Sequence, residues 1–371
     1  MKLQKNAGAV RGFAIAMRWV SWLQTIPHKL TPPPFRLMQI GSAFWQSRAL
    51  YVAAKLDIAT VLGDEKLDAE TLATHVAANA DAIGRLLRML ASIGIFEEVA
   101  PRVFGNNKLS VYLRADNPKN VRAMILMHNS EAMSRPWYEQ FENGVREGMP
   151  PFELSNGEAL FDYLDRHAEF DSLFSEAMDS VEALTGDSFA TDFDWGQFDR
   201  VIDLGGSRGA KSLAILKRHL RLTALVVDRA QVIQAAPSYW AGKAPPALLS
   251  RISYQAGDIL ESVPVAINAK DIYLLSAVLH GMDDDLCIKV LSNLAIAAAG
   301  TGACVALMEL VVPDFKADFS SAAFDLQMFM ATNGRERTLA DWQRLFDPSG
   351  WLLDEIVSLR SFGKILVLRQ Q

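Results

Sequence analysis

The sequence predicts an α/β fold, a mainly parallel sheet ending in a C-terminal antiparallel hairpin, preceded by a mostly helical region of winged-helix shape. Three observations predict it. After Trp195, short β-rich runs alternate with helix-compatible stretches ("RVIDLGG", "TALVVD", "RISYQAGD", "DIYLLSAVLH", "ACVALMELVV"), the order expected of parallel strands with helical crossovers. The last two runs, "WLLDEIVSL" and "GKILVLRQ", are joined by a short connection around Gly363, as hairpin strands are. Before that, from residue 37 to 190, apolar spacing is helical except around "IFEEVAPRVFGNNKLS".

A length of 371 residues suggests about two domains of ordinary size. They are expected at 37–185 and 186–371, after an arm at 1–36. With a formal net charge of -6 the chain offers no general basic surface to a phosphate backbone, which argues against nucleic acid as a partner. Cys287 and Cys304 are too few for a disulfide framework and lack the paired spacing of a zinc site, so a reducing cytoplasm is expected.

In the arm, Arg11 and Arg18 interrupt the apolar patch and no small-residue cleavage site follows, which speaks against a secretion signal. The arm reads instead as an amphipathic helix that docks on a partner subunit. No apolar run is long enough to span a membrane. Pro32, Pro33 and Pro34 are expected to break the chain before the first domain. Helical spacing runs from Gln39 to Leu62, then through two further helices with Asp68 and Asp81 as N-caps and Gly94 as the stop. The following wing is expected to turn around Gly105 and Asn106. Between 116 and 190, Trp137, Phe141, Phe161, Phe170, Phe174 and Met178 recur at helical spacing, which usually means core packing; lining a pocket is the second reading.

The chemistry is concentrated in "VIDLGGSRGA", residues 201–210. A strand carries Asp203 into Gly205, Gly206, Ser207 and Gly209, a turn in which backbone approaches a ligand closely at a helix N-terminus. The spacing lacks the third glycine of a dinucleotide fingerprint and the Lys-Ser/Thr of a P-loop. The next strand ends in Asp228, where such a sheet places a carboxylate on a ribose diol, and the third ends in "GD" at Asp258.

Taken in order, "DLGGSRG", "VVDRAQVI", "GDILESVP", "LHGMDDDLC" and "GRERT" resemble the class I S-adenosylmethionine-dependent methyltransferases, and within them the small-molecule O-methyltransferases of the plant caffeate and bacterial antibiotic or hydroxyindole type. The resemblance covers nearly the whole chain after the arm. It implies a Rossmann-like methyltransferase domain behind an N-terminal dimerisation domain, a homodimer, and S-adenosylmethionine as cofactor with S-adenosylhomocysteine as product, without a metal. It places Asp203, Gly205, Gly206, Ser207 and Gly209 at the cofactor's methionine portion, Asp228 and Arg229 at the ribose, and Asp258 and Ile259 beside the adenine. Ser276 falls in the cofactor site where the family often has lysine, which removes one contact.

His280 has three readings: a metal ligand, a structural histidine, or a general base. Consecutive aspartates on a loop point in different directions and no second histidine is near, which disfavours a metal. The base reading is favoured. A phenol of pKa about 10 is mostly protonated at neutral pH, and an imidazole removes that proton as the oxygen attacks. The resemblance sets Glu309 and Glu336 as carboxylates orienting the His280 ring. Asp283, Asp284 and Asp285 read as the start of the next helix, where their charge suits the dipole.

Alignment with the family also nominates Met127, His128, Trp137, Phe170, Phe174, Met178, Met328 and Asn333 for an acceptor pocket, His128 standing where an asparagine often contacts substrate. The family's Asp-Trp after the histidine is Gly281-Met282 here. The expected activity is methylation of a phenolic small molecule in secondary metabolism, the pocket taking polycyclic acceptors. One rival keeps the fold and cofactor but catalyses hydroxylation, decarboxylation or a pericyclic step. A second treats the winged-helix half as a DNA reader; "DAIGRLLRMLASIGIF" opposes it, offering only Arg85 and Arg88 against an apolar stripe.

Overall fold

The computed structural model describes residues 2–361 and 363–371. Its contacts form two compact units: Met1–Ser21, Asn143–Pro151 and Thr185–Gln371 in one, Trp22–Glu142 and Phe152–Leu184 in the other.

The arm forms a helix, α1 (Ala7–Leu30). Pro33 and Pro34 do not interrupt the chain as expected; they open the next helix, α2 (Pro33–Gly41), where their fixed φ suits the first turn and no amide hydrogen is needed. Then come α3 (Phe44–Lys55), α4 (Ile58–Leu62), β1 (Lys66–Asp68), α5 (Ala69–His75), α6 (Ala80–Ser92), β2 (Glu97–Ala100) and β3 (Val103–Gly105). Asp68 caps α5 by accepting from the Thr71 amide. Asp81 does not cap α6: Asn79 does, accepting from Ala82, and Asp81 falls in the first turn. Gly94 stands just past α6 with φ +82°.

The wing has three strands in the order β1-β3-β2, and its turn lies at Pro101–Arg102 rather than at Gly105–Asn106. Asn106 is used elsewhere: its amide donates to the carbonyls of Ala59 and Gly63, both at 2.8 Å, tying the wing to α4. Ile58, Leu62, Leu72, Ile83, Leu87 and Phe104 form the buried core of this region.

The other unit is built on β4 (Arg200–Leu204), β5 (Thr223–Asp228), β6 (Ile252–Ala256), β7 (Asp271–Ser276), β8 (Cys304–Val312), β9 (Arg337–Thr338), β10 (Trp351–Ser358) and β11 (Gly363–Gln370). The order is β10-β11-β8-β7-β4-β5-β6, with the short β9 beside β8. Strands β4 to β8 are parallel; β11 runs antiparallel to β8 and β10 to β11, as the C-terminal runs predicted. Both faces are covered by apolar clusters, which is why these strands read as continuous hydrophobic runs. β4 has β5 on one side and β7 on the other, so the chain order reverses there and a crevice opens at the carboxyl ends of the strands.

Candidate active site

The turn after β4 fills one wall of that crevice. Gly205, Ser207 and Gly209 all have left-handed backbone, with φ +67°, +51° and +82°. At Gly206 a Cβ would stand 2.5 Å from the Asp203 carboxyl carbon, and at Gly209 one would stand 2.8 Å from Ile252 Cδ1. The need for glycine is therefore internal as well as a matter of ligand approach: the turn lies flat on its own sheet. Asp203 is 1% exposed and accepts from Ser212 Oγ at 2.7 Å, which fastens the helix Ala210–Arg218 to the turn.

Asp228, at the end of β5, takes one backbone donor on each oxygen: Ser207 N–H on Oδ2 and Arg229 N–H on Oδ1, both at 2.7 Å. Burial pushes its pKa up while the two amides pull the other way. A carboxylate has lone pairs for about four donors, so capacity for a diol is left over, and the residues fit a ribose there. Arg229 is half-buried. Asp258 is exposed after β6 and accepts from the Leu260 amide at 2.8 Å. The adjoining Ile259 is half-buried, its carbonyl held by Asn293 Nδ2 at 2.9 Å. Ser276 ends β7. The cofactor candidates thus gather at the carboxyl ends of four neighbouring strands.

The segment after β7 carries His280. It begins at Ala277, a non-glycine residue with φ +52°, a conformation costing of order 1–3 kcal/mol that persists only where the surroundings over-determine it. The Ala277 amide donates to the Met308 carbonyl on β8 at 3.0 Å. His280 Nδ1 lies 2.7 Å from Glu336 Oε1, with the imidazole 19% exposed and the carboxylate 2%. Donation of Nδ1–H to the carboxylate leaves Nε2 as the basic nitrogen. Burial depresses the His280 pKa, but the Glu336 hydrogen bond and the charges of Glu309 and Glu336 outweigh it and raise the value above 6.5.

Glu309 holds a different place from the one expected. Its Oε1 accepts from the Val278 and Leu279 amides, each at 3.1 Å, so it grips the backbone ahead of His280 and reaches the ring through charge. Burial pushes its pKa up to about 7, against the opposing charge of His280. Asp283 caps the helix Asp284–Ala298, as predicted for the start of the aspartate run.

Two neighbours of Glu336 escaped the sequence reading. Arg337, with no exposed surface, donates to the carbonyls of Leu279 at 3.0 Å and Met282 at 2.8 Å and pairs with Asp284. A Cβ on Gly334 would stand 1.9 Å from the His280 carbonyl oxygen. The only sequence signal for either was membership of "GRERT".

The acceptor candidates fall into two sets. Met328 is half-buried on the helix Phe319–Ala331, and the exposed Asn333 lines a groove with Asp325, Phe329 and Glu336. In the other unit, Met127 is buried and His128 exposed at the end of the helix Arg122–His128. Trp137 packs on Phe141 with centroids 5.0 Å apart, and Phe170 packs between Tyr163 and Phe174. Met178 is half-buried on the helix of Phe170 and Phe174. Met282 packs against the core of its own unit, so it is not a free wall. Among the described residues, no three His, Cys, Asp or Glu side chains gather as a metal-holding group.

Residues 138–352 match the O-methyltransferase domain family, and residues 38–116 match the O-methyltransferase dimerisation domain. The chain is 33% identical over 335 residues to the phenazine O-methyltransferase PhzM of Lysobacter antibioticus, covering 90% of this chain and 95% of that protein. It is 30% identical over 336 residues to the phenazine-1-carboxylate N-methyltransferase of Pseudomonas aeruginosa, covering 89% and 96%. Its fold is similar to the O-methyltransferase NcsB1 from neocarzinostatin biosynthesis, solved with S-adenosylmethionine and 2-hydroxy-5-methyl naphthoic acid, at TM-score 0.74 and 26% identity over 88% of this chain and 96% of that one. With both of its domains matched in sequence and the sheet carrying the motifs in their expected order, the chain belongs to the class I small-molecule O-methyltransferase family and uses S-adenosylmethionine as its methyl donor.

Proposed function

We propose that this enzyme methylates a hydroxyl on an aromatic, fused-ring small molecule, with His280 as general base. The observation that carries the reading is the 2.7 Å contact between His280 Nδ1 and Glu336 Oε1, which sets the tautomer and stabilises the imidazolium that forms. When bound, the cofactor supplies an electrophilic methyl on a sulfonium centre. The turn at 205–209, Asp228, Asp258 and Ile259 would hold it at the ends of β4, β5 and β6. His280 Nε2 takes the hydroxyl proton, a step that commonly contributes a factor of roughly 10²–10⁴. Gly281, in place of the family's usual aspartate, leaves the side of the base open. That opening and the phenazine and naphthoic acid chemistry of the relatives support a fused-ring acceptor.

A panel of phenolic acceptors, read by mass spectrometry for one added methyl, tests the proposal. His280→Ala should lower turnover steeply while calorimetry shows nearly intact cofactor affinity. Lost cofactor affinity with unchanged turnover would overturn the role of His280. Much faster methylation of small catechols than of fused-ring phenols would overturn the acceptor size.

A second reading is methylation of an aromatic ring nitrogen, supported by the 30% identical N-methyltransferase. A ring nitrogen presents its lone pair without losing a proton, so His280→Ala would keep most activity on such an acceptor. The match of residues 38–116 supports a homodimer, which light scattering on the purified chain checks. Two buried, unpaired cysteines accord with a reducing cytoplasm.

A further inference from the structure

We propose that Arg337 and Gly334 are positioning residues that set where the His280 imidazole stands; this rests on the reading of His280 as the base. The base sits on a single 3₁₀ turn, Leu279–Gly281, entered through the left-handed Ala277. A turn that short satisfies few of its own backbone groups and has little stiffness of its own.

Both sides of it are gripped from outside. Glu309 takes the amides of Val278 and Leu279. Arg337 takes the carbonyls of Leu279 and Met282, which flank the His280–Gly281 pair, at 3.0 and 2.8 Å. The same guanidinium donates through Nε and Nη2 to Asp284 Oδ1 at 3.0 and 2.8 Å. Asp284 lies in the first turn of the helix into which the loop runs, so the clamp closes on itself. Reaching two carbonyls and a carboxylate at once uses the planar, five-donor fork of arginine; a lysine ammonium is a single point. Gly334 completes the arrangement by backbone contact, since a Cβ there would meet the His280 oxygen at 1.9 Å and the Gly281 carbonyl carbon at 2.5 Å. Glu336, the partner of the ring, lies between these two residues in the chain. One four-residue segment, 334–337, therefore holds both the backbone and the imidazole of the base.

The test uses the full chain with Arg337→Lys, Gly334→Ala and Asp284→Asn, the last a mild change at a partly exposed position that covers the case in which a buried variant fails to fold. Thermal melting establishes folding, and ¹³C-labelled histidine gives the His280 titration midpoint by NMR without needing an acceptor. Turnover is measured with a hydroxyphenazine and a hydroxynaphthoate as probe acceptors. In folded variants the midpoint should move back toward the ordinary histidine value of about 6.5 as the Glu336 contact loosens. Turnover of whichever probe is accepted should fall by about 100-fold, the scale of an ångström-sized misplacement, while calorimetric affinity for S-adenosylmethionine stays within a factor of about three. A folded variant with an unmoved midpoint, or with wild-type turnover, overturns the inference. If His280→Ala itself keeps full turnover on a hydroxyl, the base reading fails instead, whatever the clamp variants do.

Discussion

His280 and Glu336 share one short contact, Nδ1 to Oε1 at 2.7 Å, while the second oxygen of Glu336 is buried without a partner. A buried carboxylate with one committed oxygen and one idle one is held in place by the imidazole as much as it holds the imidazole. Ring and carboxylate act as one acid–base unit, and four predictions follow from it and from the crevice beside it.

The base must be neutral to act, and its pKa is raised by Glu336 and Glu309 against the opposing effect of burial. Activity should therefore increase with pH through a midpoint above 6.5. Glu336→Gln removes the hydrogen-bonded charge, so the acidic limb of the kcat/KM profile should move to lower pH while the plateau drops by at least about tenfold. A limb that stays where it was would separate Glu336 from the titration of the base.

Glu309 is a stability device with a definite sign. Its folded pKa of about 7 exceeds the usual carboxylate value, so between pH 4.5 and 7 the folded state binds more protons than the unfolded one. Its contribution is fully present below that window and is lost as pH rises through it, by an amount on the order of 3 kcal/mol. His280, also raised, shifts stability in the same direction. Denaturant melts of Glu309→Gln should show a flatter dependence than wild type across this range, and parallel curves would refute the assignment.

Gly206→Ala would press a methyl against the Asp203 carboxylate, 2.5 to 2.8 Å away. Overpacking of this kind typically costs 1–3 kcal/mol, and the turn has nowhere to retreat because Asp203 is tied to Ser212. A lower melting temperature together with weaker calorimetric binding of S-adenosylmethionine is expected.

Asp228→Asn should weaken S-adenosylmethionine binding by roughly tenfold or more, the scale of losing a charge-assisted hydrogen bond. The variant keeps the acceptor oxygen facing one backbone amide but turns the other into a donor opposite a donor. Unchanged cofactor affinity would remove Asp228 from the ribose site.

Much of this arrangement was legible from local pattern. The strand-glycine-helix sequence at 201–210, the acidic end of β5 and the cap at Asp283 are each short-range devices whose partners lie within one supersecondary unit. The wing turn was not. Gly105–Asn106 looks like a hairpin turn, yet the Asn106 amide is spent on Ala59 and Gly63, while Arg102 takes the left-handed position with its amide bonded to Glu98 and its guanidinium paired with Glu70. Arg337 was hidden for a related reason. Composition treats an arginine as solvent-facing, and its carbonyl partners lie 55 and 58 residues away in the chain. Glu309 was found but misassigned, because a spacing rule names a carboxylate near a histidine without saying whether it meets the ring or the backbone.

The Val278 side chain occupies the place where a Cβ on Gly205 would be, 2.8 Å from its Cγ2. The cofactor turn and the base segment thus share a single party wall, and neither can be redesigned without renegotiating the other. Variation in what this enzyme methylates has to be sought away from that wall, among side chains that touch neither Gly205 nor Val278, if the machinery for transferring the methyl is to survive the change.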